Sequence, residues 1–219
     1  MGTVEFDALK FLKTFMDNGG VFMWVILIIW ITGLGISLYK VLMLKIYDIN
    51  GTKLFGKIKG LVLNNNVDEA LSVCSNSRAL LPKILRSGLK RANEDRLLIE
   101  DAITTSMLEN TPKIAYHLSY ISLIANVSTL IGLLGTIQGL IMSFAGVANA
   151  DPSLKAQILS LGIARAMNTT AFGLISAITI MVFHTYLSNK AQKLNDTIDE
   201  ASAKLVDLLS IKSRKESNA

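Results

Sequence analysis

The sequence has little charge, little proline and almost no cysteine, and each shortage excludes a class of protein. Of its 219 residues, 18% are charged and 51% are hydrophobic, whereas a typical soluble domain has about a quarter charged residues. Three prolines argue against long disordered linkers. The single cysteine, Cys74, excludes an intramolecular disulfide, and we expect a buried, reduced thiol there. This composition indicates an integral membrane protein.

Sequence motifs for enzymatic chemistry are also missing. The chain has no Gly-Lys-Ser/Thr phosphate loop, no glycine-rich dinucleotide fingerprint and no Ser/His/Asp set. His117 and His184 have no cysteine or acid at metal-ligand spacing. We therefore predict a protein that is not an enzyme and has no catalytic residue, metal or cofactor. The net charge of +5 is explained by lysine and arginine in cytoplasmic segments, without nucleic-acid binding.

Three stretches have almost no charge over a length that suits a membrane. Residues 18–39 and 114–150 contain no Asp, Glu, Lys or Arg, and residues 156–189 contain only Arg165. At about 1.5 Å per residue, the first stretch is about 33 Å long, enough to cross a bilayer core. We predict an all-α fold with three transmembrane helices, and long helices that extend into the cytoplasm.

Segment boundaries follow from these stretches and from the distribution of basic residues. The predicted spans are 18–44, 114–150 with a cytoplasmic extension, and 156–189, and a turn at 151–155 joins the last two. The positive-inside rule places residues 1–17 in the periplasm as an amphipathic segment, and residues 45–113 and 190–219 in the cytoplasm as helical regions. The basic residues behind this orientation are Lys40, Lys45, Lys53, Lys57, Lys59, Arg96, Lys113, Lys190 and Lys193.

Two apolar stripes predict helices in the cytoplasmic part. Leu81, Leu85 and Leu89 follow at helical spacing around Pro82, which is suited to a helix start. After the third span, apolar residues continue at steps of three and four, so we expect that helix to extend as an amphipathic rod. This second stripe consists of Leu194, Ile198, Ala201, Leu205 and Leu208.

The second and third spans carry faces of small residues. Such faces let helix backbones approach closely in lipid, where packing replaces the hydrophobic drive. The predicted packing glycines are Gly132, Gly135, Gly139, Gly162 and Gly173. These stripes are explained equally well by helix packing alone and by a pore lining.

Two threonines on these faces are candidates for an ion pathway. Thr136 and Thr170 place hydroxyls near mid-membrane, where they can bind water or a partner side chain, or bond back to their own helix. The only acid between Lys113 and Asn189 is Asp151, in the predicted turn. Because ion carriers generally need an ionisable group at membrane depth, either this chain carries no ion or the acid comes from another chain.

Arg165 is the one charge inside a span. It can extend to the outer interface or pair with an acid of a partner. We therefore regard it as a possible partner contact.

Two motifs carry a resemblance to a known family. The stretch TLIGLLGTIQGLIMSF (Thr129–Phe144) resembles the second-helix signature of the MotA/TolQ/ExbB proton channel family, and GIARAMNTTAFGLISAI (Gly162–Ile178) resembles the third-helix signature. Three spans with an outer N-terminus are similar to the TolQ/ExbB-like branch.

The resemblance implies a partnership and an energy source. It implies a homopentameric ring around a dimer of a single-span ExbD/TolR-like protein whose transmembrane aspartate exchanges protons. The assembly would lie in the bacterial inner membrane, surrounded by lipid, and use proton motive force to do mechanical work through a TonB/TolA-like or other envelope effector. Thr136 and Thr170 match the family's pore-facing threonines, with Thr169 a lower-ranked neighbour.

The sequence also departs from the family pattern. Arg165 stands where many members have glutamate, so no role of that acid carries over, and Thr129 and Thr179 stand where many have proline. A sodium-driven version of the same motor and a passive membrane scaffold are the alternative interpretations.

Overall fold

The computed structural model describes residue 16 and residues 19–48, 51–77 and 79–217, with side chains as far as residue 211. Most of the predicted segment 1–17 lies outside the described residues. No strand occurs in the described part, which confirms the all-α fold. The helices are α1 (Val21–Tyr47), α2 (Gly51–Leu63), α3 (Val67–Ser75), α4 (Leu80–Leu89), α5 (Arg96–Asn110), α6 (Pro112–Ala115), α7 (Leu118–Ala148) and α8 (Lys155–Ser217).

The three predicted spans are confirmed as helices. α1, α7 and α8 each contain a segment long and apolar enough to cross a membrane. Their outer surfaces expose large apolar side chains, such as Ile28, Leu130 and Ile178. Exposure of this kind is costly in water but normal where lipid covers the helix.

The chain divides into two compact units. We call Met1–Leu38 with Leu118–Thr185 the span unit, and Tyr39–His117 with Tyr186–Ala219 the loop unit.

The span unit holds its three helices together through close packing. A Cβ atom added to Gly33 would lie 2.7 Å from Ile180 Cδ1 and 3.0 Å from Ile124 Cγ2, so this glycine lets α1 approach both α7 and α8. The rings of Trp30 and Phe172 meet edge to face, with centroids 6.2 Å apart.

The loop unit has an apolar core made by α4, α5 and the end of α8. Leu81, Leu85 and Leu89 are buried, as the sequence predicts. A Cβ atom added to Gly88 would lie 2.5 Å from Ile103 Cδ1, so α4 and α5 are in close contact. The buried stripe of α8 in this unit is Ala191, Leu194, Ile198, Ala201, Leu205 and Leu209.

Two details of these helices differ from the sequence prediction. The buried stripe of α8 ends on Leu209, whereas Leu208 is only half-buried. The helix predicted from residue 114 is interrupted at His117, whose backbone is left-handed with φ of 71°. A left-handed residue cannot continue a right-handed helix, so α6 ends at Ala115 and α7 begins at Leu118.

Candidate functional site

The backbones of α7 and α8 come closest at a pair of glycines. A Cβ atom added to Gly173 would lie 2.9 Å from Gly132 Cα and 3.0 Å from the Ser128 carbonyl oxygen. Ser128 Oγ donates a hydrogen bond of 3.4 Å to the Gly173 carbonyl. The two helices therefore touch through main-chain atoms at this level of the span unit.

The other predicted packing glycines lie along the same contact. Each faces a side chain of the opposite helix that a Cβ atom would overlap or crowd. Gly135 faces Thr169 Cγ2, Gly139 faces Ala166, and Gly162 faces Ser143 Oγ. These positions place the glycine stripes of the two helices opposite one another, which is the geometry of close helix packing in lipid.

Thr136 and Thr170 are brought together beside the glycine pair. Their Oγ1 atoms are hydrogen-bonded to each other. Thr170 Oγ1 also lies 2.9 Å from the Gly132 carbonyl oxygen, and Thr136 Oγ1 lies 3.2 Å from the same oxygen. Both threonines are half-buried, so the pair remains accessible from one side.

Counting protons in this group shows what it can bind. The two hydroxyls have two protons, and three contacts compete for them: each hydroxyl reaches the Gly132 carbonyl oxygen, and the two hydroxyls also reach each other. While both protons are used within the group, at least one hydroxyl oxygen accepts no bond there and keeps its lone pairs. In this arrangement the pair offers an acceptor to a third group. It suits a neutral carboxylic acid, a water molecule or a small cation.

Thr169 has different surroundings. Its side chain is 1% exposed, and its Oγ1 donates towards the carbonyls of Arg165 at 3.1 Å and Gly19 at 3.2 Å. Its methyl group packs against Gly135. This position favours a packing role over contact with a mobile ion.

Arg165 lies in a cleft of about 500 Å³ towards the start of α8. Met142, Ser143, Gly162 and Asn168 also line this cleft. The arginine side chain is exposed. Among the described residues, no cluster of three or more His, Cys, Asp or Glu side chains is placed to hold a metal ion.

The Gly132 carbonyl is a member of the group that the sequence prediction missed. A backbone acceptor leaves no trace in a side-chain pattern. The one available signal is spacing, because Thr136 follows Gly132 by four residues and a threonine hydroxyl can bond to the carbonyl four positions earlier.

Comparison with known proteins gives the family. The model of the MotA/TolQ/ExbB proton channel family matches residues 76–200, more than half of the chain. The chain belongs to this family. The matched range includes both motifs and both threonines of the pair, and the three apolar helices make this family member a multi-pass membrane protein.

Individual relatives come from two branches of the MotA/TolQ/ExbB family. The chain is 28% identical over 185 residues to a biopolymer transport ExbB homologue of Methanothermobacter thermautotrophicus, with 84% of the chain and 64% of the relative covered. It is 37% identical over 111 residues to biopolymer transport protein exbB1 of Vibrio cholerae, with 51% and 46% covered. It is 28% identical over 93 residues to Tol-Pal system protein TolQ of Pseudomonas aeruginosa, with 42% and 40% covered. The chain thus spans less than two thirds of each relative.

Proposed function

We propose that this chain is the channel subunit of a proton-driven motor in the bacterial inner membrane. In this proposal it forms a homopentameric ring around a dimer of a single-span ExbD/TolR-like protein that carries a transmembrane aspartate. Proton flow through the assembly does mechanical work on a TonB/TolA-like or other envelope effector. The N-terminus lies in the periplasm, and the central loop and C-terminus lie in the cytoplasm.

The observation that carries this proposal is the acceptor made by Thr136, Thr170 and the Gly132 carbonyl. The spans contribute no acid of their own, since Asp151 lies between α7 and α8. A partner aspartate in its protonated form can donate to this acceptor without any change in the threonine hydroxyls. Its carboxylate form needs a donor, so a threonine hydroxyl must first turn away from the Gly132 carbonyl oxygen. Binding to the pair is therefore coupled to the protonation of the guest.

Sodium is the alternative ion. Hydroxyl and carbonyl oxygens with free lone pairs also coordinate a small cation, so the same three oxygens fit a sodium-driven version. Flux measurements in buffers with potassium as the only alkali cation separate the two, because a sodium-driven motor stops there and a proton-driven motor does not.

The test replaces each hydroxyl by a methyl group. The chain and its single-span partner are co-expressed, purified and reconstituted into vesicles, and proton flux under an imposed pH gradient is followed with an entrapped dye. We expect Thr136→Val and Thr170→Val to lower the flux about tenfold or more, because each removes one hydrogen-bonding group of the site. Thr136→Ser and Thr170→Ser keep the hydroxyl and should keep the wild-type flux.

Thr185→Val is the matched control, because Thr185 lies on the same helix as Thr170 and its exposed hydroxyl donates to the Met181 carbonyl. It should leave the flux unchanged. Oligomer mass is measured for every variant. If both valine variants assemble normally and keep full proton flux, the ion pathway is wrong. If flux and assembly fall together in both, the passive scaffold is the better explanation.

A further inference from the structure

Two lysines of the loop unit converge on one buried amide. Asn110 is 0% exposed, and its Oδ1 accepts hydrogen bonds from Lys83 Nζ at 3.0 Å and from Lys113 Nζ at 2.9 Å. The two ammonium nitrogens are at most about 6 Å apart, because each lies about 3 Å from the same oxygen. Asn110 Nδ2 donates to the Ser106 carbonyl at 2.7 Å, which fixes the orientation of the amide.

A third lysine, Lys40, bonds to the main chain of this group. Lys40 is 0% exposed, and its Nζ donates to the Lys113 carbonyl oxygen at 3.2 Å. Burial makes this hydrogen bond important, because little water can solvate the ammonium group in its place.

No acid within ion-pair distance of these lysines is found among the described residues. None of the three lysines forms an ion pair there, and their acceptors are one amide oxygen and one main-chain carbonyl. Glu109 is adjacent to Asn110 in sequence but lines a different cleft, together with Lys90 and Arg91. The ammonium groups of Lys83 and Lys113, held this close by one amide oxygen, are stabilised when an anion binds to both.

The sequence places the lysines at the edge of the membrane. Lys40 directly follows the charge-free stretch 18–39, and Lys113 directly precedes the charge-free stretch 114–150. Tyr39 and Tyr116 are 57% and 60% exposed, and amphipathic rings of this kind favour the interface between hydrocarbon and water. The cluster therefore lies at the depth of lipid headgroups.

We propose that Lys40, Lys83, Lys113 and Asn110 form a binding site for a phosphate-type anion, supplied by an anionic phospholipid headgroup or by free phosphate. Lys83 and Lys113 are exposed, and each ammonium uses one of its three N–H groups on Asn110, so the others are available to phosphate oxygens. Lys40 is buried and positions the main chain at Lys113 through its bond to the carbonyl oxygen. Asn110 sets the separation of the two exposed lysines. The site is independent of the threonine group and of the function proposed for it.

The test uses the full chain purified in a zwitterionic detergent. Binding of short-chain phosphatidylglycerol, short-chain phosphatidylcholine and inorganic phosphate is measured by native mass spectrometry and by the shift in Tm. The test variant is Lys83→Gln with Lys113→Gln. Its charge-matched control is Lys57→Gln with Lys90→Gln, at two exposed lysines outside the cluster. Circular dichroism and oligomer mass confirm that both variants fold.

We expect the test variant to bind phosphatidylglycerol about 30-fold more weakly than the wild type, because each lysine near a membrane surface contributes about fivefold. The control variant should bind as the wild type does. Displacement of the lipid by millimolar inorganic phosphate identifies free phosphate as a competent ligand. Lipid binding without displacement identifies the headgroup as the source. Either pattern supports the site.

Two results would overturn this proposal. The first is equal loss of phosphatidylglycerol binding in the test and control variants, which indicates only a general charge effect. The second is unchanged phosphatidylglycerol binding in the test variant; if its oligomer mass also changes, the lysines are assigned to a carboxylate of a second copy of the chain.

Discussion

The Cα atoms of Gly132 and Gly173 face each other with no space for a side chain on either. A methyl group on Gly173 would come within 2.9 Å of Gly132 Cα, which is closer than carbon atoms normally pack. Since the obstacle is backbone, no side-chain rotation relieves it. The separation of α7 and α8 is therefore set at this point.

Gly173→Ala should destabilise the protein by about 1–3 kcal/mol, because the added methyl group pushes two helix backbones apart. Equilibrium unfolding in detergent measures the loss. Gly35→Ala is the control, since a Cβ atom there meets nothing within 4 Å. Equal stability of the Gly173→Ala variant and the wild type would show that the two helices separate without cost.

Thr169→Ser should cost about 0.5–1.5 kcal/mol of stability, comparable to other losses of one buried methyl group. The serine keeps the hydroxyl that faces the Arg165 and Gly19 carbonyls but leaves a gap opposite Gly135. Thr185→Ser, at an exposed position of the same helix, should have almost no effect. Unfolding experiments on both variants check this prediction, and a larger effect at Thr185 would contradict it.

Cys74 should react slowly with thiol reagents in the folded protein. Burial raises the pKa of its thiol to about 11 from 9.0, although the Arg86 guanidinium opposes the shift. The lower thiolate fraction alone should slow alkylation about 100-fold relative to the unfolded chain, as the thiolate is the reactive form.

The matched control is Cys74→Ala with Ser75→Cys, which moves the thiol to an exposed neighbour and should label rapidly. A second consequence concerns pH. Because the folded pKa of Cys74 is raised, the stability from its neutral thiol is fully present below about pH 9 and is lost as pH rises towards about 11. Rapid alkylation of Cys74 in the folded chain would contradict both expectations.

His117→Ile should destabilise the protein by about 1–2 kcal/mol more than His117→Asn, because a β-branched side chain is strained at positive φ and asparagine tolerates it. Both substitutions remove the ring contact with Tyr116, whose centroid lies 4.0 Å from that of His117. The loss of this ring contact therefore cancels in the comparison of the two variants. Thermal unfolding of each gives the comparison, and equal Tm values would show that this backbone conformation is not retained.

The sequence predicts the span helices well because membrane crossing imposes a simple rule. A segment without charge and with about 20 apolar residues has few alternatives to a helix. The glycine stripes are visible for the same reason, since close packing in lipid selects small residues at helical spacing. These rules concern one helix at a time, and they account for α1, α7 and α8 individually.

Other features depend on three-dimensional detail that such rules do not contain. Nothing in the periodicity distinguishes Leu208 from Leu209, because both fall close to the apolar stripe and the neighbouring helices decide which is buried. The left-handed backbone of His117 has no sequence signal, since histidine also occurs within helices. Burial of Lys40 contradicts the usual behaviour of lysine and depends on the carbonyl of Lys113, 73 positions away.

Gly132 has two structural roles, and this affects how a mutational scan of the protein should be interpreted. Its missing side chain sets the distance between α7 and α8, and its carbonyl oxygen orients both threonine hydroxyls. Every substitution at Gly132 disturbs both at once, so intolerance at that position says nothing about which task has failed. Only exchanges among threonine, serine and valine at residues 136 and 170 change the chemistry while the helix spacing stays constant. In such a scan, residues 136 and 170 are therefore more informative than Gly132, the position most sensitive to substitution.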